Sequence, residues 1–154
     1  MPEPVWEFRP RVVSVISTGM AISLVAVFGV IWFRLPDVSQ QSFTVFQRIT
    51  LLVFAAVILG ILFRMATLKV TAYDDGLLVR NVFRTYRMEW TRMRALRFSP
   101  GDAWLMIFDA EGNRSGVLAI QASEGPRANV AAKQLAAIAK SHGATPRPPH
   151  PPPP

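Results

Sequence analysis

Two long apolar runs limit what this chain can fold into more than any other feature. Residues 12–33, VVSVISTGMAISLVAVFGVIWF, contain no charge. As a helix they reach roughly 33 Å, enough for a hydrocarbon core of about 30 Å. Residues 44–63, TVFQRITLLVFAAVILGILF, carry one charge, Arg48, in the first turn. An arginine so near a helix end can snorkel to the headgroups. The linker at 34–43 contains Pro36 and polar residues, a short turn, so the two spans should form an antiparallel helical hairpin. A cleaved signal peptide has a shorter apolar region ending in a small-residue cleavage site. Here the first run ends in IWFRLP and a second run follows. A buried helix pair in a soluble protein is the remaining alternative, and two adjacent runs of this length disfavour it.

Orientation follows from lysine and arginine near the span ends. The connecting loop contributes Arg34, with Arg48 just inside the second run, whereas the outer flanks carry Arg9, Arg11, Arg64 and Lys69. The expectation is a multi-pass protein of the cell membrane with both termini cytoplasmic, residues 1–11 being a cytoplasmic N-terminal segment.

The chemistry available to the rest is narrow. With no cysteine among 154 residues, a disulfide framework, a Cys-ligated zinc and a thiol nucleophile are excluded. His142 and His150 have no metal-ligand partner at useful spacing. Asp74, Asp75, Asp102, Asp109 and Glu111 fall at or beside turn signals, where solvated carboxylates belong. Glu89 and Glu124 complete the acidic set of residues 65–143, and Ser115 has no histidine near it in sequence. Nothing converges on catalysis, and neither a cofactor nor a metal is implied.

From residue 65 the pattern changes from continuous to alternating apolar. Segments 66–73, 77–82, 84–90, 93–98, 103–109 and 115–120 read as six short strands. DDG at 74–76, SPG at 99–101 and AEGN at 110–113 supply turns. Residues 126–142, PRANVAAKQLAAIAKSH, read as a helix with Val130, Leu135, Ile138 and Ala139 along one side. Ser123 and Pro126 are start signals and Gly143 is the stop. The fold expected for 65–143 is a small antiparallel barrel or sheet capped by this helix. Residues 144–154, rich in proline, should form an extended solvated tail.

The order of elements and the run VTAYDDGLLVRNVFRTYRMEWTRMRALRF resemble the bacterial pleckstrin-homology-like (PH-like) domain membrane proteins, nearest the actinobacterial branch typified by low molecular weight protein antigen 6. The most specific part is MEWTRMRAL, which is similar to that family's tryptophan-centred signature, with Met93 where isoleucine is usual. The resemblance implies a partly open barrel with a C-terminal helix, held at the cytoplasmic membrane and without catalysis. The first turn of this sequence, Asp74-Asp75-Gly76, is acidic rather than lysine-rich, which argues against carrying over phosphoinositide binding. Trp90 reads as a core tryptophan rather than a ligand platform.

The charge is concentrated. Residues 64–97 hold +5 of the chain's net +7, including Arg80, Arg84, Arg87, Arg92, Arg94 and Arg97. A pI near 11.0 fits nucleic acid superficially, but no nucleic-acid-binding motif accompanies it. Three readings stay open: a solvated strand face, apposition to anionic lipid, and docking of an acidic protein partner. The favoured combination is a membrane-anchored, non-catalytic binding module whose arginines face lipid or an acidic partner. A scaffolding subunit that assembles through its spans is the alternative.

Overall fold

A computed structural model describes residues 3–34 and 43–144. The loop between the apolar runs and the proline-rich tail lie outside the described residues. The elements run β1 (Trp6–Phe8), α1 (Arg11–Arg34), α2 (Val45–Ala66), β2 (Lys69–Tyr73), β3 (Gly76–Arg80), β4 (Thr85–Glu89), β5 (Met93–Arg97), β6 (Trp104–Asp109), β7 (Arg114–Gln121) and α3 (Pro126–Ser141). The strands form two antiparallel sheets, β1-β2-β3-β4 and β5-β6-β7, and do not close into a barrel.

The sequence leaves the first eleven residues outside the domain. In the structure, however, Trp6–Phe8 is the edge strand of the first sheet, Trp6 opposite Ala72 and Phe8 opposite Val70. Its side chains are used as well. Trp6 Nε1 donates to Gln134 Oε1 of α3 at 3.1 Å, and the Arg127 guanidinium lies 5.5 Å from the centroid of the Phe8 ring. The helical hairpin is therefore inserted in the connection between β1 and β2. Both helices are long and apolar enough to cross a membrane, and the most apolar window of each is only 6% buried within the chain. Core helices of a soluble protein would be mostly buried.

The core lies between the sheets and α3. Val70, Ala72, Leu77 and Val79 from the first sheet meet Met93, Leu105, Ile107 and Val117 from the second, and α3 closes the cluster. The strand at 84–90 ends one residue early. Trp90 starts a short 3-10 turn, Trp90–Arg92, is 3% exposed, and donates its indole N–H to Tyr73 O at 2.9 Å. In α3 the packed face consists of Ala128, Ala131, Leu135 and Ala139, with Ile138 partly buried against it. Val130, expected on that face, is 55% exposed. Alanines allow the helix backbone close to the sheets, where a larger side chain would hold it off. No side chain caps this helix. Gly125 at φ 57 turns the chain into Pro126, the first helical residue, and Ser123 takes no part.

Gly76 is not a turn residue but the first residue of β3. A Cβ there would lie 2.5 Å from the Met88 carbonyl oxygen of β4, so the glycine serves a close strand approach.

Because β1 and β2 are joined only through the hairpin, and its two legs meet where Ser14 bonds Ala66, a version with residues 15–63 replaced by a short glycine-containing loop, which keeps the Glu124 partners and Arg64, should fold as a soluble domain. The fragment 67–144 leaves the β2 edge unpaired and should melt at lower temperature or aggregate. Identical thermal transitions for the two would remove β1 from the sheet.

Candidate functional site

The structure spreads the six arginines over both sheets. Arg80 ends β3 beside the point where α2 leads into β2, at the end of the domain that bears the hairpin. It sits directly across from Lys69, whose ammonium is balanced by the Glu7 carboxylate of β1 at 3.4 Å. Arg84, in the β3–β4 loop, is exposed at the same end. Neither makes an ion pair among the described residues. Arg87 bonds Asp75 at 2.6 Å and lies 5.6 Å from the Tyr73 ring centroid. Arg92 bonds Glu111 at 3.2 Å, and Arg97 meets Asp102 at 3.4 Å. Arg94 is exposed at the bulge of β5 and has no ion pair among the described residues. Thus three of the six spend their charge on turn carboxylates. The hydrogen bond from Arg87 holds the Asp75 carboxyl below its ordinary pKa and in turn raises that of Arg87. Glu111 raises Arg92 in the same way.

β4 and β7 are both sheet edges, and a groove of about 810 Å³ runs between them. It extends from Arg84 at the hairpin end to Trp90, Arg92 and His142 at the far end, with Arg114, Ser115 and Gly116 of β7 along the opposite wall. Two side chains stitch the seam. Asn81 donates Nδ2–H to Gly116 O at 2.7 Å and accepts the Leu118 N–H at 3.1 Å, so its amide acts as a neighbouring strand would. The Tyr86 hydroxyl donates to Gly116 O at 3.1 Å. Burial pushes the Tyr86 pKa far above the ordinary tyrosine range, although a Ser115 hydrogen bond and the Arg84 charge oppose the shift. At the far end the His142 ring is tilted over Trp90 with centroids 5.5 Å apart, and its Nε2 is 3.6 Å from Asp74 Oδ1. Among the described residues no group of three or more histidine and carboxylate side chains could hold a metal ion.

The base of the helical hairpin is fixed to the same domain by polar contacts. Glu124 is 4% exposed and its carboxylate accepts the first N–H groups of α1: Arg11 at 3.0 Å, Val12 at 2.8 Å and Val13 at 3.3 Å. Arg127 balances the charge at 3.0 Å. A carboxylate at a helix N-terminus satisfies orphan donors and complements the macrodipole. At the other leg, Arg64 donates Nε–H to Val82 O at 2.7 Å and Nη2–H to Asn81 O at 3.0 Å. Ser14 Oγ of α1 donates to Ala66 O at the end of α2, at 3.0 Å.

Residues 67–137 match the family model described as Bacterial PH domain. That region is a bacterial PH-like domain. The match begins at Thr67, so it includes β2 to β7 and most of α3 and omits both helices of the hairpin and the β1 strand that completes the first sheet. It speaks for PH-like domains in bacteria generally and carries nothing specific to the antigen 6 branch. No curated protein and no solved structure matches the chain.

Sequence reasoning passed over Glu124, Asn81 and Tyr86 of this PH-like domain. Glu124 and Glu89 were the two carboxylates away from the turns in the sequence, and that was the available signal for Glu124. Asn81 carried none, because its partners are more than thirty residues away. Replacing Asn81 with Ala leaves the Leu118 N–H without a partner and should cost about 1–3 kcal/mol in denaturant unfolding. An unchanged midpoint would mean that packing and the Tyr86 hydrogen bond hold the seam without Asn81.

Proposed function

We propose that the chain is a membrane-anchored, non-catalytic binding module at the cytoplasmic face of the cell membrane. Its PH-like domain comprises residues 3–10 and 67–144, and the two helices cross the bilayer. The observation that carries this reading is the insertion of the hairpin between two paired strands, with both of its ends hydrogen-bonded to the domain. Such a hairpin must leave and return on one side of the membrane. The exposed apolar flanks of both helices support the bilayer as their solvent, and Arg9, Arg11, Arg64 and Lys69 on the domain side support the cytoplasm as that side.

Of the six arginines, Arg80 and Arg84 are the ones suited to anionic lipid: they lie at the hairpin end and have no carboxylate partner among the described residues. Arg87, Arg92 and Arg97 are largely neutralised by their own turns. The groove between β4 and β7, where Arg114 on the β7 wall has no ion pair among the described residues, suits an acidic protein segment better than a bilayer, and Arg94 on β5 lies outside that groove. The acidic turn at Asp74 and Asp75, already engaged with Arg87, supports no phosphoinositide headgroup there. Nucleic acid has no place in this reading.

Each basic residue near an anionic leaflet contributes about 1 kcal/mol, so Arg80 and Arg84 together should change vesicle affinity by roughly thirtyfold. The soluble loop-replaced domain should co-sediment with anionic vesicles at low salt and be released as salt rises. Arg80→Gln with Arg84→Gln should abolish this, whereas Arg87→Gln with Arg92→Gln should not. A domain that ignores anionic vesicles at low salt leaves only the acidic protein partner. If the first pair of substitutions has no effect, the arginines are a solvated face and the scaffolding role through the helices takes precedence.

A further inference from the structure

The loop between β3 and β4 displays an aromatic side chain that the fold does not use. Phe83 is 88% exposed, although its neighbour Val82 is buried in the core. The loop that carries it is rigid. Asn81 N–H donates to Arg84 O at 2.9 Å, closing the turn, and the Asn81 side chain is tied to β7. Arg64 holds the Asn81 and Val82 carbonyls from the side. Ordering of this kind does not hide Phe83; it fixes Phe83 in an outward position.

The height of the loop relative to a bilayer follows from the same contacts. The apolar run of α2 ends at Phe63, itself largely exposed. The twenty residues of that run already match a hydrocarbon thickness of about 30 Å, so Arg64 stands where the core gives way to headgroups. Val82 is within one arginine side chain of that level, and Phe83 follows it. On either side are Arg80 and Arg84, without ion pairs among the described residues. An aromatic ring flanked by basic side chains at this depth matches the chemistry of a phospholipid interface: the ring among upper acyl carbons, the guanidinium groups on phosphates.

We propose that the Phe83 loop is a second membrane contact, a wedge seated in the headgroup layer beside the spans, with phospholipid phosphate bound by Arg84 and Arg80. It rests on the reading that α1 and α2 cross the bilayer. The two spans restrain the domain's distance from the leaflet, and the wedge sets which face it turns toward the lipid. The end of the β4–β7 groove near Trp90 and His142 then faces away from the membrane, open to the cytoplasm.

The chain has no cysteine, so one introduced thiol reports one position. Spin labels at Phe83→Cys, Leu52→Cys and Glu89→Cys in the full chain, reconstituted in phosphatidylglycerol–phosphatidylcholine bilayers, are compared by collision with oxygen and with a water-soluble nickel chelate. The expected order of depth is 52 deepest, 83 at the boundary between headgroups and acyl chains, and 89 in water. Adding Arg80→Gln and Arg84→Gln should move the label at 83 toward water, as should omission of the anionic lipid. If 83 matches 89 while 52 is deep, the wedge is wrong and the membrane reading survives. If 52 is also aqueous, the membrane reading fails and the wedge with it. If 83 is at the boundary but indifferent to both arginines and to lipid charge, the phosphate contact is overturned.

Discussion

One buried carboxylate joins the two halves of this protein. Glu124, from the short turn before α3, receives the first three N–H groups of α1, which no intrahelical carbonyl can satisfy. Buried donors left without partners cost about 1–3 kcal/mol each. The start of α1 is therefore held against the domain by Glu124, and the Glu124 carboxylate is stable in the interior because those donors and Arg127 surround it. Each explains the burial of the other. Arg64 performs the complementary task for α2, engaging two carbonyls of the β3–β4 loop. With both legs fixed, the hairpin and the PH-like domain behave as one body rather than as a domain on a tether.

That coupling bears on what the domain can do. A tethered module samples many orientations, and its surface charges act on average. Under the proposed membrane reading, a module whose β1–β2 connection is itself the anchor would present one end to the bilayer and the opposite end away from it. The sorting of arginines has meaning only in such a frame. Arg80 and Arg84 are close to the anchor, while Arg87 and Arg92 are tied to carboxylates near the opposite end. The proposed division between a lipid-facing end and an outward groove depends on this rigidity more than on the number of arginines.

The sequence revealed the parts whose physics is local. Apolar runs of twenty residues are visible in one dimension, and period-two alternation located the strands from β2 to β7. Local reasoning failed where partners are distant. WEF at 6–8 is three residues between prolines, with nothing to mark it as a strand, and its partner is sixty residues away beyond the hairpin. Asn81 reads as a loop residue until β7 lies beside it. Val130 was placed on the packed face because size suggests burial, yet α3 packs through alanines and needs close approach rather than volume. The six arginines are contiguous enough to suggest one patch, but strand geometry sends them to both sheets and to both ends of β4.

The account stands on residues 6–13 being part of the folded domain. Amide hydrogen exchange of the full chain in lipid nanodiscs tests this most directly, because a free N-terminal segment exchanges at once and a paired strand or capped helix does not. The account predicts protection of Trp6 and Phe8, which pair with Ala72 and Val70, and of Arg11 to Val13, comparable with that of Val70 and Ala72 in β2. It further predicts that Glu124→Ala releases Arg11, Val12 and Val13 while β5 to β7 stay protected. Rapid exchange throughout residues 6–13 in the unaltered protein would contradict it.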